Sequence, residues 1–584
     1  MRWESANSVV SAALEMERHA PVVAAADEID LYIRTYQSLL RSTGEVRVRA
    51  FEEAHSYSGS ALHEGALSPT PDVAAFAYAA GRLPAEMPAI SRIVLGQSHE
   101  LFEQAGYDVR RWARVTTRGR RRPLRYDGAG TLAVFIASVS DIDDLVPIVT
   151  AYQIEWNKMS RRLMALGASL AAGMPLPAGE RIAELLGVPP EGYAQLVEAF
   201  GAGADASLQI LATKKLDLRV RMLATSHSQY QRAAVRWWSG VEPAYLRPAS
   251  PVRRPAVYFV SSNTHAIANL VGGSALAHRD EILAYVARKN PEGLRDKVDE
   301  AVRSGDASRL GPLLYYLLRG WIHESKDDSR VSGIRSFESE SGVAHLSMPG
   351  HIDVDAQLID LAKVDPSRVD PRLRVPGIEK LRESDAVVLN IDYPLGMAAY
   401  HLLSRVGQGV GDLRGIYVMG KAATLNGRVG DVALSGVVYD EHSRNTFVFD
   451  NAFSTKDVQP YLVHGSVFDN QSALTVRSAF LQNKRYMNAF YRDGFTVLEM
   501  EAGPFLSAAY ELVMPERVPE NEIVKLGGAM PFEVGLLHYA SDTPNSRRQS
   551  LLSKSLSYYG VDSTYACAIA IVRRIFEREV ARAT

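Results

Sequence analysis

Between residues 142 and 159 the apolar positions Ile142, Leu145, Ile148, Val149, Tyr152, Trp156 and Met159 recur mostly at spacings of three and four. That is the period of a helix with one buried face. Ser140 and the acids Asp141, Asp143 and Asp144 stand at its start. A side-chain cap and negative charge there stabilise the free N–H groups of a first turn. The pattern predicts a helix from about 140 to 170, and residues 179–200 and 206–238 continue in the same style as far as Trp237-Trp238. One β-like run, Thr131 to Ala137, interrupts it. Residues 1–250 therefore read as a mainly helical domain.

Pro248, Pro251 and Pro255 mark a break, after which Ala256–Val260 reads as a buried strand. Ser261, Ser262, Asn263, Thr264 and His265 follow, and Ala266–Val271 has helical character. Strand, polar loop and helix form the usual architecture of an anion site, so these five residues are a candidate second anion site. The competing reading is a polar turn that caps the next helix. Helices continue to about His323, Glu324–Ser341 reads as an exposed charged loop, and Val343–Met348 as a strand. Asp365–Pro376 carries three prolines and reads as a linker that ends an α/β or helical connecting region, 251–375. The domain at 376–584 opens with a strand at Asp385–Ile391, a loop at Asp392–Gly396 and a helix from Met397 to Val406. Alternation of strands and helices beyond it predicts an α/β fold of three layers, its mixed central sheet covered on both faces.

At 584 residues the chain is long enough for several cores. Apolar content of 47% and charged content of 23% belong to the globular class. A net charge of −2 argues against a general nucleic-acid or acidic-membrane binder. The single cysteine, Cys567, excludes an intrachain disulfide and any Cys-based zinc site. That usage fits a reducing cytoplasm. The first residues lack an apolar signal core, and no apolar run reaches the ~20 residues of a membrane helix. His265 has no second histidine or cysteine at ligand spacing, so neither a metal nor another cofactor is expected.

The chemistry concentrates at Phe495-Thr-Val-Leu-Glu499-Met500-Glu501-Ala-Gly503-Pro-Phe505. An apolar, β-branched run ends in two carboxylates around a methionine, and a helix-compatible run follows. Open α/β sheets bind ligands at the carboxyl ends of their strands. A carboxylate buried there needs a partner, and the hydroxyl pair of a sugar is one. The segment resembles the Glu-Met-Glu signature of the nucleoside phosphorylase family, which includes purine nucleoside phosphorylases, methylthioadenosine nucleosidases and the C-terminal domain of AMP nucleosidase. Three more segments resemble that family in order. They are Gly415–Leu434 with Gly420, Lys421 and Gly430-Asp431, then Gly465-Ser466-Val-Phe468-Asp469, then Gly535-Leu-Leu-His538-Tyr539-Ala-Ser541-Asp542. The resemblance covers roughly residues 384–584.

The resemblance implies a nucleoside or nucleotide substrate. Glu501 would take the 2′- and 3′-hydroxyls, Met500 would pack on the sugar and Glu499 would support it. Asp542, next to Ser541, would protonate a departing purine, and Phe468 would stack on the base beside the Gly420 and Ser466 loops. His538 and Tyr539 would stand no closer than behind these groups. The anion end departs from the family: the first loop has no arginine, and Val418 and Lys421 stand where arginine and serine are usual. Lys421 is the remaining cation for phosphate, and Asp392 is a candidate to activate water. The expectation is therefore cleavage of an N-glycosidic bond by water. The alternatives are phosphorolysis, possible with inorganic phosphate, or transfer on a modified nucleoside, and a non-catalytic nucleotide sensor or scaffold. By resemblance the chain would form a homo-oligomer. The long region ahead of a phosphorylase-like domain is arranged as in AMP nucleosidase, which implies cations from that region around a 5′-phosphate. Arg118–Arg125 is its densest basic run.

Overall fold

In a computed structural model, the described residues are 23–42, 44–119, 122–171, 175–223, 227–246, 254–305, 307–325, 328–348, 352–527, 530–543 and 558–583. The proline-marked break at 248–251, and Arg120 and Arg121 of the basic run, lie outside them. The fold is mixed α/β, with two sheets among these residues.

The first sheet belongs to the N-terminal unit. Its six strands are β1 (Val46–Arg47), β2 (Arg92–Gly96), β3 (Ala113–Val115), β4 (Leu124–Tyr126), β5 (Thr131–Phe135) and β6 (Arg219–Met222), in the order β1-β6-β2-β5-β4-β3. Only β5 is legible as a strand in the sequence. The others are two to five residues long, too short for a two-residue alternation to stand out. The helix expected over 206–238 is interrupted by β6, whose Arg-Val-Arg-Met sequence pairs with β1 and β2. Around this sheet pack helices that include α1 (Val23–Ser42) and α2 (Val139–Ala171), whereas α3 (His227–Tyr245) buries Trp237 and Trp238 in a core of the second sheet. Helix α2 is the one expected from the spacing, and Ile148, Tyr152, Trp156 and Met159 are buried in the core of this unit.

The second sheet has eleven strands. They are β7 (Ala256–Ser261), β8 (Val343–Leu346), β9 (Ala356–Asp360), β10 (Ala386–Ile391), β11 (Leu413–Thr424), β12 (Val432–Asp440), β13 (Thr446–Phe449), β14 (Val467–Thr475), β15 (Phe495–Glu499), β16 (Ile523–Leu526) and β17 (Glu533–Asp542). The order is β16-β13-β12-β14-β15-β11-β7-β10-β9-β8, with β17 paired to both β11 and β12. Strand β7 lies between β10 and β11, parallel to each. The pairings β11–β17–β12–β14–β15–β11 close a five-stranded ring at the centre of the sheet.

Alternate residues of the central strands enter different cores. Val257, Phe259, Leu389, Ile416 and Val418 pack with Trp237, Trp238 and two helices, α5 (Met397–Gly409) and α6 (Ala502–Val513). Tyr258, Val260, Val388, Tyr417 and Met419 pack on the other face, against α4 (Ala266–Gly272), further helices between 279 and 324, and α7 (Tyr558–Arg582). Burial on both faces explains why these strands read as nearly continuous apolar runs.

Two segments differ from expectation. Ser329–Glu340, expected as an exposed loop, is a helix held by buried Ile334 and by Glu338, which accepts hydrogen bonds from Ser274 and pairs with His345. Asp365–Pro376, expected as a linker, is packed: Val369, Leu373 and Val375 are buried. Asp370 accepts from the Tyr315 hydroxyl at 2.5 Å and from Arg372. Pro371 opens a 3-10 turn there, where its missing N–H costs nothing.

The two units interlock. Phe480 and Leu481, from the segment after β14, belong to the core of the N-terminal unit. Arg477 pairs with buried Asp143 at 3.0 Å, and the Ala61 N–H donates to the Gln482 carbonyl at 2.6 Å.

Candidate functional site

The Glu-Met-Glu turn ends β15, and α6 begins directly after it. Glu499 is buried, and its Oε2 accepts the N–H groups of Glu501 and Ala502, each at 2.7 Å. Its Oε1 accepts the Thr475 hydroxyl, whose oxygen in turn accepts the Gly503 N–H at 2.8 Å. Glu499 thus binds the first turn of α6 to β14. Burial pushes its pKa up to about 7, against the pull of those three donors. Gly503 is required because a Cβ there would come within 2.5 Å of Asp440. Met500 packs against a cluster that includes Leu425, Leu474 and Tyr486 and that Ala61 of the N-terminal unit also touches. Glu501 is half-buried at the entry to α6.

His538 lies across the ring. It pairs with Gly420 on one side and Ala433 on the other, and Ala433 pairs onward with Phe468. Residues opposite one another share a face, so Gly420, His538, Ala433 and Phe468 form one row. Phe468 is half-buried at its end. His538 Nε2 stands 3.9 Å from Glu499 Oε2. Ser466 is tied to the end of β17 through Asp431, whose Oδ1 accepts the Ser466 N–H and whose carbonyl accepts the Ala540 N–H. Gly430-Asp431 is thus a turn that holds loops together.

A bulge at Ser541 places Asp542 opposite Ala423, so Asp542 shares its face with Lys421 rather than with His538. Ser541 donates to Asp542 Oδ2 at 2.9 Å. Burial raises the Asp542 pKa; the Ser541 hydrogen bond and the charges of Lys421 and Arg82 oppose the rise. Burial lowers that of Lys421, although its side chain keeps access to solvent. Arg82 comes from the N-terminal unit and lies 3.5 Å over the Tyr78 ring. Neither Lys421 nor Arg82 forms an ion pair among the described residues. Two groups therefore flank the end of β11: Glu499, His538 and Phe468 on the face of Gly420, and Asp542 on that of Lys421.

Asp392 and Tyr393 follow β10. The Asp392 carboxylate accepts the Tyr393 N–H at 3.0 Å, as in a turn. The Tyr393 ring lies 4.0 Å from where a Gly420 Cβ would stand, and its hydroxyl meets that of Tyr539 at 2.9 Å. Gly396, at the end of this loop, has φ 49° and ψ −117°. A Cβ on it would fall 2.3 Å from Ser140 Oγ, which already accepts the Met397 N–H and lies 3.2 Å from His442 Nε2. Ser140, from the N-terminal unit, thus fills the space beside Gly396.

The polar residues after β7 sit beside this loop. Ser262 donates to Asn390 Oδ1 at 2.7 Å, and Asn263 Oδ1 accepts the N–H groups of His265 and Ala266. The Thr264 carbonyl accepts from Gln357, and Ser261 is buried in β7. In this arrangement Asn263 binds the first turn of the short helix α4, and the Ser262 hydroxyl is committed inside the protein. A cavity of about 180 Å³ opens elsewhere, between α1, α2, α3 and α5, lined in part by Arg41, Tyr230 and His401 and by none of the site residues expected from the sequence. No group of His, Cys, Asp and Glu among the described residues is arranged to hold a metal ion.

Sequence reasoning placed His538 no closer than behind the substrate-binding groups and passed over Arg82. The only signal for His538 was a histidine in a strand four residues before the terminal acid. Nothing local marks Arg82, because its place is set by contact between the units.

These features define the chain as a two-unit α/β protein with acids at the carboxyl ends of two strands of its larger sheet. Residues 48–577 match the model of a family described as "Family of unknown function (DUF6909)", and the chain belongs to that family. No curated protein matches it. Among solved structures it is similar to uridine phosphorylase from Schistosoma mansoni in complex with thymidine, at 12% identity and TM-score 0.27 over 42% of this chain and 80% of that one. It is also similar to a methylthioadenosine phosphorylase from an Antarctic soil metagenomic library, at 9% identity and TM-score 0.23 over 33% and 70%. A candidate methylthioadenosine nucleosidase from Weissella paramesenteroides gives 12%, 0.26, 40% and 89%. Likeness of this size says nothing of what this chain binds.

Proposed function

We propose that the chain cleaves the N-glycosidic bond of a purine nucleoside or nucleoside 5′-phosphate, with water as acceptor. The observation that carries this reading is the Glu499–Glu501 turn, facing His538 at the end of the ring, with Lys421 and Asp542 on the other face of the adjoining strands. Bond breaking builds positive charge on the sugar and negative charge on the base, and groups preplaced for those charges lower the barrier most. In this reading Glu501 holds the sugar hydroxyls and Met500 packs on the ring. Asp542, its pKa raised by burial, gives the departing base its proton. Asp392 polarises the attacking water. Lys421 and Arg82 form the cationic end that suits a phosphate on the substrate. The absence of an arginine from the Asp392–Gly396 loop favours water over inorganic phosphate as acceptor.

A second reading, a nucleotide-binding sensor, is favoured by the insertion of Phe480 into the N-terminal core next to the turn. A chromatographic assay for free base separates the two. The protein is incubated with purine nucleosides and 5′-nucleotides, with and without phosphate, beside Glu501→Gln. Base release without phosphate, lost in the variant, is expected. Tight binding without release supports the sensor, and release only with phosphate refutes water as acceptor.

A further inference from the structure

His538 is only 2% exposed, and its Nδ1 has no hydrogen-bond partner among the described residues. Its other nitrogen, Nε2, faces Glu499 at 3.9 Å, beyond hydrogen-bond range. A buried imidazole with neither nitrogen bonded is costly, on the order of 1–3 kcal/mol for each polar atom left unmet. Such a group calls for an explanation at the site it lines.

The surroundings decide which nitrogen carries the proton. Burial holds the ring neutral by lowering its pKa to about 4, so one nitrogen is a donor and the other an acceptor. Nδ1 is sealed off. An orphaned N–H is rarer in proteins than an under-satisfied acceptor, so the proton belongs on Nε2. That N–H then points toward a carboxylate whose near oxygen already accepts two backbone N–H groups. Beside it Gly420 leaves room for a small group: a Cβ built there would stand at ordinary contact distance from His538 Cδ2, 3.9 Å, and from Tyr393, 4.0 Å. A neutral donor, a carboxylate turn and that small space together suit a group that both accepts and donates, which is a hydroxyl.

Resting on the nucleosidase reading above, we infer that His538 is a specificity-determining residue that reads a hydroxyl of the sugar. The hydroxyl lies above Gly420, accepts from His538 Nε2–H and donates to a carboxylate of the Glu499–Glu501 turn. The ligand is a ribose-type nucleoside, and its deoxy analogue is rejected because the His538 donor would be left unmet in a closed site. Sites built to bond a hydroxyl discriminate strongly against its absence.

The test is calorimetric binding to the full chain of whichever of adenosine, guanosine and inosine binds most tightly, beside its 2′- and 3′-deoxy forms. The wild-type chain is expected to bind the ribonucleoside at least about tenfold more tightly than one of the two deoxy forms, the worth of one buried hydrogen bond. His538→Phe keeps the shape without the donor, and the preference is expected to fall below about twofold. His538→Gln, which offers an amide donor, is expected to restore part of it. A structural role alone would weaken ribo and deoxy binding equally in all variants. Undiminished discrimination in His538→Phe overturns the inference but leaves the nucleosidase reading to the base-release assay. Failure of the wild-type chain to bind any of the three nucleosides overturns both.

Discussion

Replacing Gly396 by alanine tests how the N-terminal unit meets the first loop of the second sheet. The residue has φ 49° and ψ −117°, the backbone of the first central position of a type II′ turn, which glycine adopts far more readily than alanine. The strain of such backbone for a side-chain-bearing residue is on the order of 1–3 kcal/mol. A Cβ would also stand 2.3 Å from Ser140 Oγ and 2.7 Å from its Cβ. Comfortable contact needs about 3.5 Å, so Ser140 must retreat by about 1 Å from a tightly packed place. Overpacking of that kind costs about 1–3 kcal/mol. Gly396→Ala should therefore destabilise the protein by about 2–6 kcal/mol. In a Ser140→Gly background only the backbone part should remain. The coupling energy from the double-mutant cycle should thus be about 1–3 kcal/mol, read from urea midpoints of the four proteins. Equal losses in both backgrounds would refute the claim that Ser140 fills the space beside Gly396.

Glu499 and His538 should give opposite pH dependences. Glu499 rises from 4.5 to about 7 on folding. The folded chain therefore holds its proton more tightly, and this contribution to stability falls as pH rises between those values. His538 drops from 6.5 to about 4, so its contribution is absent at low pH and grows through that window. Each is on the order of 3 kcal/mol over its range. Glu499→Gln should make the stability–pH slope between pH 5 and 6.5 more positive, as His538→Phe should make it more negative, and unchanged slopes in urea titrations would contradict the assignments. Thr475→Val leaves Glu499 Oε1 and the Gly503 N–H without their bridging hydroxyl, and should cost about 1–3 kcal/mol in the same titration. Lys421→Met and Arg82→Met should each weaken binding of a nucleoside 5′-phosphate about tenfold or more while changing that of the parent nucleoside less. Calorimetry on the pair would show equal losses if neither cation meets a phosphate.

The helices at 139–171 and 397–409 are plain in the sequence because each carries a full-length period, and the strands at 256–261 and 386–391 because each is a nearly continuous apolar run. The strands of the N-terminal sheet are not, because their stability comes from neighbours rather than from their own two to five residues. The helix at 329–340 escaped for a similar reason. It buries little beyond Ile334 and Glu338, so charge dominates its composition.

At the site, local sequence determined that two carboxylates end one strand and a Ser-Asp pair ends another. Covalent spacing cannot move them, and any fold that buries those strands must satisfy them. The tertiary structure alone decided what they face. Glu499 is committed to the first turn of α6, and a one-residue bulge turns Asp542 to the side of Lys421. His538 meets Glu499 although 39 positions separate them. Arg82 and Ser140 reach the second sheet from a different unit. Strand-end chemistry is written in consecutive residues, whereas the direction a side chain points, and its neighbours, depend on register and on packing between distant segments.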